Sequence, residues 1–170
     1  MLTKNIIFKN FFIKSKKKIV KKIFYNLKKN YINGKEKTLL SLSENYNYSF
    51  NKKLISKYKN FFYFRIIGMG GSILGAEAIY RFLKHKIKKN FSFIDNLLSF
   101  VETKNNKKNM INLIISKSGN TLETVSNSNI LLKNKKNNIF ITEIKKNYLN
   151  KLANQIKAEI IEHKNYIGGR

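Results

Sequence analysis

FFYFRIIGMGGSILGAE, residues 61–77, and INLIISKSGNTLET, residues 111–124, each carry an apolar run of strand length into a helix-forming run through a loop of small residues. Two strand-loop-helix corners of this kind point to an α/β fold with a parallel sheet. In such sheets the loops gather at the carboxyl ends of the strands, where open α/β folds bind ligands. Backbone N–H groups, hydroxyls and a lysine at such corners suit a phosphate. A phosphorylated small molecule is therefore the first ligand class to consider.

The pattern extends outward from these corners. Residues 61–67 and 111–115 read as buried strands, 91–94 as a short strand, and 138–142 and 158–161 as further strands. Between them, residues 72–86, 121–133 and 148–156 read as helices. Alternation on this scale predicts three layers, a parallel sheet flanked by helices, over residues 59–170. Residues 1–58 read as a separate basic, partly helical extension. Ile19, Val20, Ile23, Phe24 and Leu27 recur at helical spacing, with Lys17, Lys18, Lys21, Lys22, Lys28 and Lys29 on the other face. That pattern reads as a solvated helix laid on its own domain. The stretch 30–51 is rich in turn residues and is expected to be irregular.

Composition narrows the function classes. The formal charge is +26, but Lys, Asn and Ile account for 81 of 170 residues, as codon drift in an AT-rich genome would produce. Only Arg65, Arg81 and Arg170 are arginines among 35 basic residues, which leaves little for bidentate base reading. A nucleic acid is accordingly set aside as the principal partner. With no cysteine, thiol chemistry and disulfides are excluded, and His85 and His163 are too isolated to form a metal site. Neither a metal nor an organic cofactor is expected. No apolar run approaches the roughly 18 residues of a membrane span, and the N-terminus lacks a signal-peptide pattern. The chain reads as cytoplasmic, with no membrane partner.

At the first corner, glycines 70 and 71 permit close backbone approach, and Ser72 can cap a helix or meet a ligand oxygen. A dinucleotide site fits poorly, because Ile73 stands where the third fingerprint glycine belongs and Asp95 does not end a clear strand. At the second corner, Ser116, Ser118 and Thr121 set three hydroxyls around Gly119, with Lys117 and a helix N-terminus adding positive charge. A phosphate monoester, with about two negative charges and three acceptor oxygens, matches that cup. Helix capping by Ser118 or Asn120 accounts for one such group, not for the set. Glu123 lies within the first helical turn, where it suits the dipole but repels phosphate, so it is read as a supporting carboxylate facing the sugar or another side chain.

The first corner, the SKSGNTLET segment some 40 residues later and the closing Gly168-Gly169-Arg170 together resemble glucose-6-phosphate isomerases of the sugar-isomerase (SIS) superfamily. The resemblance covers about residues 61–170 and implies an SIS-type, flavodoxin-like domain binding a sugar phosphate, in a homodimeric enzyme. It implies substrate contacts from Gly71 and Ser72, phosphate binding by Ser116, Lys117, Ser118, Gly119, Asn120 and Thr121, and a catalytic Arg170 that stabilises an enediolate. Ala76 and Asn120 depart from the residues common in the family. The family's glutamate base, ring-opening histidine and catalytic lysine have no matching positions, and His163 reads as a surface histidine after a strand. The expectation is an N-terminal part of such an isomerase, lacking the proton shuttle; the alternative is a non-catalytic module that binds phosphosugars.

Overall fold

Five strands pair side by side in the order β2-β1-β3-β4-β5, all parallel. They are β1 (Tyr63–Gly68), β2 (Asn90–Ile94), β3 (Met110–Ile115), β4 (Asn138–Thr142) and β5 (Glu159–Glu162). The computed structural model describes residues 17–35, 37–41, 43–44, 46–97, 109–132 and 136–168. Helices α4 (Leu74–Leu83), α5 (Leu122–Leu131) and α6 (Tyr148–Gln155) form the crossovers β1-α4-β2, β3-α5-β4 and β4-α6-β5. The order is that of flavodoxin-like sheets, whose topological switch lies between the first and third strands. The expected three-layer α/β architecture is the one observed.

Each face of the sheet follows from strand parity. On one face Ile67, Ile114 and Phe140 are fully buried against Leu131 of α5 and Leu149 and Ala153 of α6. Each such aliphatic or aromatic side chain removed from water contributes about 1.5–3 kcal/mol. On the other, Ile111 and Ile139 pack with Tyr58 and Leu54. Tyr80 of α4 lies against Phe91 and Phe93 at centroid distances of 5.1 and 5.7 Å, and Phe91 stacks on Phe64 at 5.0 Å. The covering helix there is α3 (Lys52–Tyr58), begun by Asn51, whose side chain accepts from the Leu54 N–H at 2.9 Å. Sequence reasoning missed this helix, although Asn51 followed by Leu54, Ile55 and Tyr58 is a legible cap and apolar spacing.

Helix α5 is buried through Thr124, Asn127 and Ser128 as well as Leu131. Small polar residues let the helix lie close to β1 and β3, and hydrogen bonds to nearby carbonyls serve two of them. Ser128 donates to the Thr124 carbonyl at 2.6 Å, and the Asn127 amide donates to the carbonyl of Asn96 at 2.7 Å. Across the strands below, the Asn112 side-chain amide donates to Asn138 Oδ1 at 2.8 Å. Arg65, the register partner of Asn112, is 5% exposed, and burial lowers its pKa. Asn109 and Asn137, each just before a strand, take positive φ angles of 68° and 64°, which asparagine tolerates better than most residues.

The chain divides into two compact units, Met1–Tyr46 and Asn47–Arg170. The sheet belongs to the second. In the first, α1 (Lys17–Ile32) carries the expected amphipathic pattern, and Ile19, Val20, Ile23 and Phe24 are exposed. A short helix, α2 (Lys37–Leu40), interrupts the stretch expected to be irregular. Among the described residues no helix is long and apolar enough to cross a membrane, and no cluster of metal-ligating side chains occurs.

Candidate functional site

The two loops leave neighbouring strand ends. Gly68 closes β1 in register with Ile115, which closes β3, and a Cβ at Gly68 would lie 3.1 Å from the Ile115 carbonyl oxygen. That close approach brings the corner after β1 beside the corner after β3, at the switch point of the sheet.

After β1 the chain makes a 3-10 turn, Gly70–Ser72, before α4 begins at Leu74, two residues later than the sequence spacing predicts. Gly70 has φ +54° with nothing within 4 Å of an added Cβ, so it is required for its backbone conformation rather than for space. Gly71 is exposed and Ser72 half-buried. No side chain caps the 3-10 turn or α4, so the capping role open to Ser72 is not used.

The second corner is built around three hydroxyls. Ser116 Oγ, on a residue 2% exposed, lies 2.9 Å from Thr121 Oγ1 and 3.5 Å from Ser118 Oγ, which is itself 3.5 Å from Thr121 Oγ1. The Gly119 N–H donates to Ser116 Oγ at 3.2 Å and the Asn120 N–H to Ser118 Oγ at 3.3 Å. Thr121 is the N-cap of α5 but makes no side-chain cap hydrogen bond. The helix therefore starts with amides that no capping side chain occupies, next to three converging hydroxyls. Such a start attracts an anion.

The loop is held in shape by α6. Gly119 has φ +70°, and a Cβ there would fall 2.2 Å from Cγ and Oδ1 of Asn147. Asn147 caps α6, accepting from the Asn150 N–H at 2.8 Å. The Gly119 carbonyl accepts from the Leu149 N–H at 3.0 Å, and Asn120 Oδ1 accepts from the Tyr148 N–H at 2.9 Å. Asn120 thus fastens the cup to the start of α6 with its side-chain oxygen. Sequence reasoning missed Asn147, because its partner Gly119 lies far earlier in the chain.

Lys117 also has a structural engagement. Its Nζ donates to the carbonyls of Asn165 and Ile167, both at 2.7 Å, and lies 3.8 Å from Glu143 Oε1. Glu143 directly follows β4 and pairs with Lys145 at 2.5 Å. That hydrogen bond, helped by the charges of Lys145, Lys117 and His163, holds its carboxyl below the ordinary range against an opposing desolvation. His163 is half-buried, with Nδ1 3.1 Å from the Lys164 carbonyl oxygen. Glu123 is half-buried in the first turn of α5. Arg170 lies outside the described residues. The structure thus brings Ser116, Ser118, Gly119 and Thr121 into one cup, sets Gly71 and Ser72 on the adjoining corner, and turns Lys117 and Asn120 toward neighbouring backbone.

No family model matches the chain. Parts of it are similar to curated proteins named glucose-6-phosphate isomerase. Identity is 39% over 83 residues with that of Acholeplasma laidlawii, covering 42% of this chain and 19% of the relative. It is 45% over 73 residues with that of Methanocaldococcus jannaschii, covering 40% and 18%. With that of Borreliella afzelii it is 35% over 111 residues, covering 59% and 21%. The chain spans about a fifth of the length of these relatives. Among solved structures, a hypothetical protein of Thermus thermophilus aligns with a TM-score of 0.58 at 19% identity, over 69% of this chain and 32% of that one. The Vibrio vulnificus NanR protein complexed with ManNAc-6P aligns with a TM-score of 0.52 at 18% identity, over 69% and 43%. Both share the fold.

Proposed function

We propose that this chain forms the phosphate-anchoring part of a glucose-6-phosphate isomerase site. The observation that carries the reading is the convergence of the Ser116, Ser118 and Thr121 hydroxyls, 2.9–3.5 Å apart, at the uncapped start of α5. The phosphate of glucose 6-phosphate or fructose 6-phosphate accepts from these hydroxyls and from the free amides of the helix, while Gly71 and Ser72 contact the substrate from the adjoining corner. The partial similarity to named isomerases supports the choice of sugar, and ManNAc-6P in the NanR neighbour agrees with a phosphorylated sugar as ligand.

In the reaction, a carboxylate base moves a proton between C2 and C1 through a cis-enediolate, and a cation stabilises the developing oxyanion. Arg170 takes the cationic role and Glu123 a supporting one. Two other carboxylates that follow strands or open helices are engaged elsewhere, Glu77 with Arg81 and Glu143 with Lys145. None is assigned as the base. The chain by itself is therefore expected to bind the sugar phosphate and to turn it over negligibly. The resemblance further suggests a cytoplasmic, homodimeric enzyme.

Titration of the purified chain with fructose 6-phosphate tests the reading. Saturable binding is expected, weakened roughly 10- to 100-fold by Ser118→Ala or Thr121→Ala, because a hydrogen bond to a charged group is worth about 1.5–3 kcal/mol. Absence of saturable binding, or indifference to both substitutions, overturns it. A coupled isomerase assay on the same chain is expected to show negligible turnover, and robust turnover would show that a base is present after all.

A further inference from the structure

We propose that Lys117 is a positioning residue that couples occupation of the hydroxyl cup to the conformation of the segment 165–168. The proposal rests on the sugar-phosphate reading of the cup. Lys117 sits between Ser116 and Ser118, which carry two of the three cup hydroxyls, yet its side chain leaves the cup. Its ammonium carries three donors, and two of them reach the Asn165 and Ile167 carbonyls at 2.7 Å. These acceptors lie 48 and 50 positions along the chain.

The backbone of Lys117 is fastened as well. Its carbonyl accepts from the Glu143 N–H at 3.2 Å and from Thr142 Oγ1 at 3.4 Å. The Glu143 carboxylate, 3.8 Å from Nζ, supplies the opposing charge that holds the ammonium over the two carbonyls. The other basic side chains near that carboxylate are Lys145, which is paired with it, and His163. The local hydrogen bonds of the segment, from Ile167 N–H to the Lys164 carbonyl and from His163 Nδ1 to the same residue, do not reach the cup. Lys117 thus forms a hydrogen-bonded link between the cup loop and the Asn165 and Ile167 carbonyls of the segment.

The mechanical consequence is direct. An anion that draws Ser116, Ser118 and the start of α5 together shifts the residue between them, and the shift passes through the lysine to Asn165 and Ile167. A side chain that merely added charge to the cup would aim its ammonium at the hydroxyls. This one aims it at the backbone leading into Gly168, two residues before Arg170, the cation assigned to the enediolate.

Amide NMR of the full chain tests this with inorganic phosphate as the probe. In the unsubstituted protein, phosphate is expected to shift the amides of Gly119 and Asn120 and also those of Ile167 and Gly168. In Lys117→Met the first pair is expected to respond with an affinity within about threefold of the original, while the shifts at Ile167 and Gly168 fall at least about fivefold, as loss of the two hydrogen bonds implies. The heteronuclear NOE of those two amides should fall as well. Lys117→Arg is expected to restore both signatures, because a guanidinium also presents donors to two carbonyls. If Lys117→Met loses phosphate as completely as Ser118→Ala, the lysine is an ordinary phosphate ligand and the proposal fails. Unchanged shifts and NOE values at Ile167 and Gly168 also overturn it. Lack of any response at Gly119 and Asn120 in the unsubstituted protein overturns the sugar-phosphate reading and with it the coupling, whereas the NOE comparison still decides whether Lys117 orders the segment. Should Lys117→Met fail to fold, Lys117→Gln with the same readouts replaces it.

Discussion

Replacing Gly119 by alanine perturbs the cup without touching any of its hydroxyls. At φ +70° an alanine pays the left-handed penalty of about 1–2 kcal/mol. Its Cβ would also fall 2.2 Å from Cγ and Oδ1 of Asn147, far inside contact distance, so the asparagine must leave its place. Asn147 then loses its cap on the Asn150 N–H, and loss of a good N-cap costs about 1 kcal/mol. The smaller conformational freedom of alanine in the unfolded chain offsets roughly 0.4–1 kcal/mol. The net destabilisation is about 2 kcal/mol. For a domain of this size that corresponds to a fall in Tm of roughly 4–12 °C. Gly70→Ala is the internal control, since φ +54° imposes the same kind of strain with nothing within 4 Å to strike. Its cost should stay near about 1 kcal/mol. Thermal and urea melts followed by circular dichroism measure both. A double substitution, Gly119→Ala with Asn147→Gly, should recover at least about 1 kcal/mol relative to the sum of the single effects, because the two residues are in direct contact. If Gly119→Ala is no more damaging than Gly70→Ala, the proposed interlock between the cup and α6 is wrong.

Other outcomes can be checked alongside. Phe140→Ala, at a fully buried position of the core beneath α6, should lower stability by about 3–5 kcal/mol in urea denaturation, with the m-value unchanged. The Glu143 carboxyl, held down first by its hydrogen bond from Lys145, should titrate by carbon-detected NMR below the ordinary carboxylate value of about 4.3. Since its folded-state pKa is depressed, its contribution to stability is present above the unfolded carboxylate pKa and is lost as pH falls through the folded one. Lys145→Ala should move the titration upward toward the ordinary value, and an unmoved midpoint would assign the depression to another cause.

The strands of the sheet were legible because a parallel sheet buried on both faces leaves near-continuous apolar runs, as in residues 111–115. The observed bounds of β4 coincide with the expected ones, and those of β3 differ by one residue. Helix α5 was legible from its loop rather than from its periodicity, because the buried side is partly Thr124, Asn127 and Ser128 and gives no apolar stripe. Helix α3 carried a readable cap and was lost in a lysine-rich stretch, where Leu54 and Tyr58 alone marked the buried side.

The sequence by itself determined the residue types of the cup: three hydroxyls around a glycine at a strand-to-helix corner announce an anion whatever surrounds them. It also carried the likeness to sugar-phosphate isomerases, since that likeness rests on local motifs. Only the tertiary structure decided what each polar group is free to do. Asn120 and Lys117 lie in the same short motif as Ser118 and Thr121, yet one bonds the start of α6 and the other bonds carbonyls 48 and 50 positions away. A hydrogen bond depends on where the fold brings its partner, and sequence spacing does not carry that distance. The hydroxyls stay near one another because the turn that holds them is local, whereas the amide and the ammonium reach partners that only the packed sheet supplies.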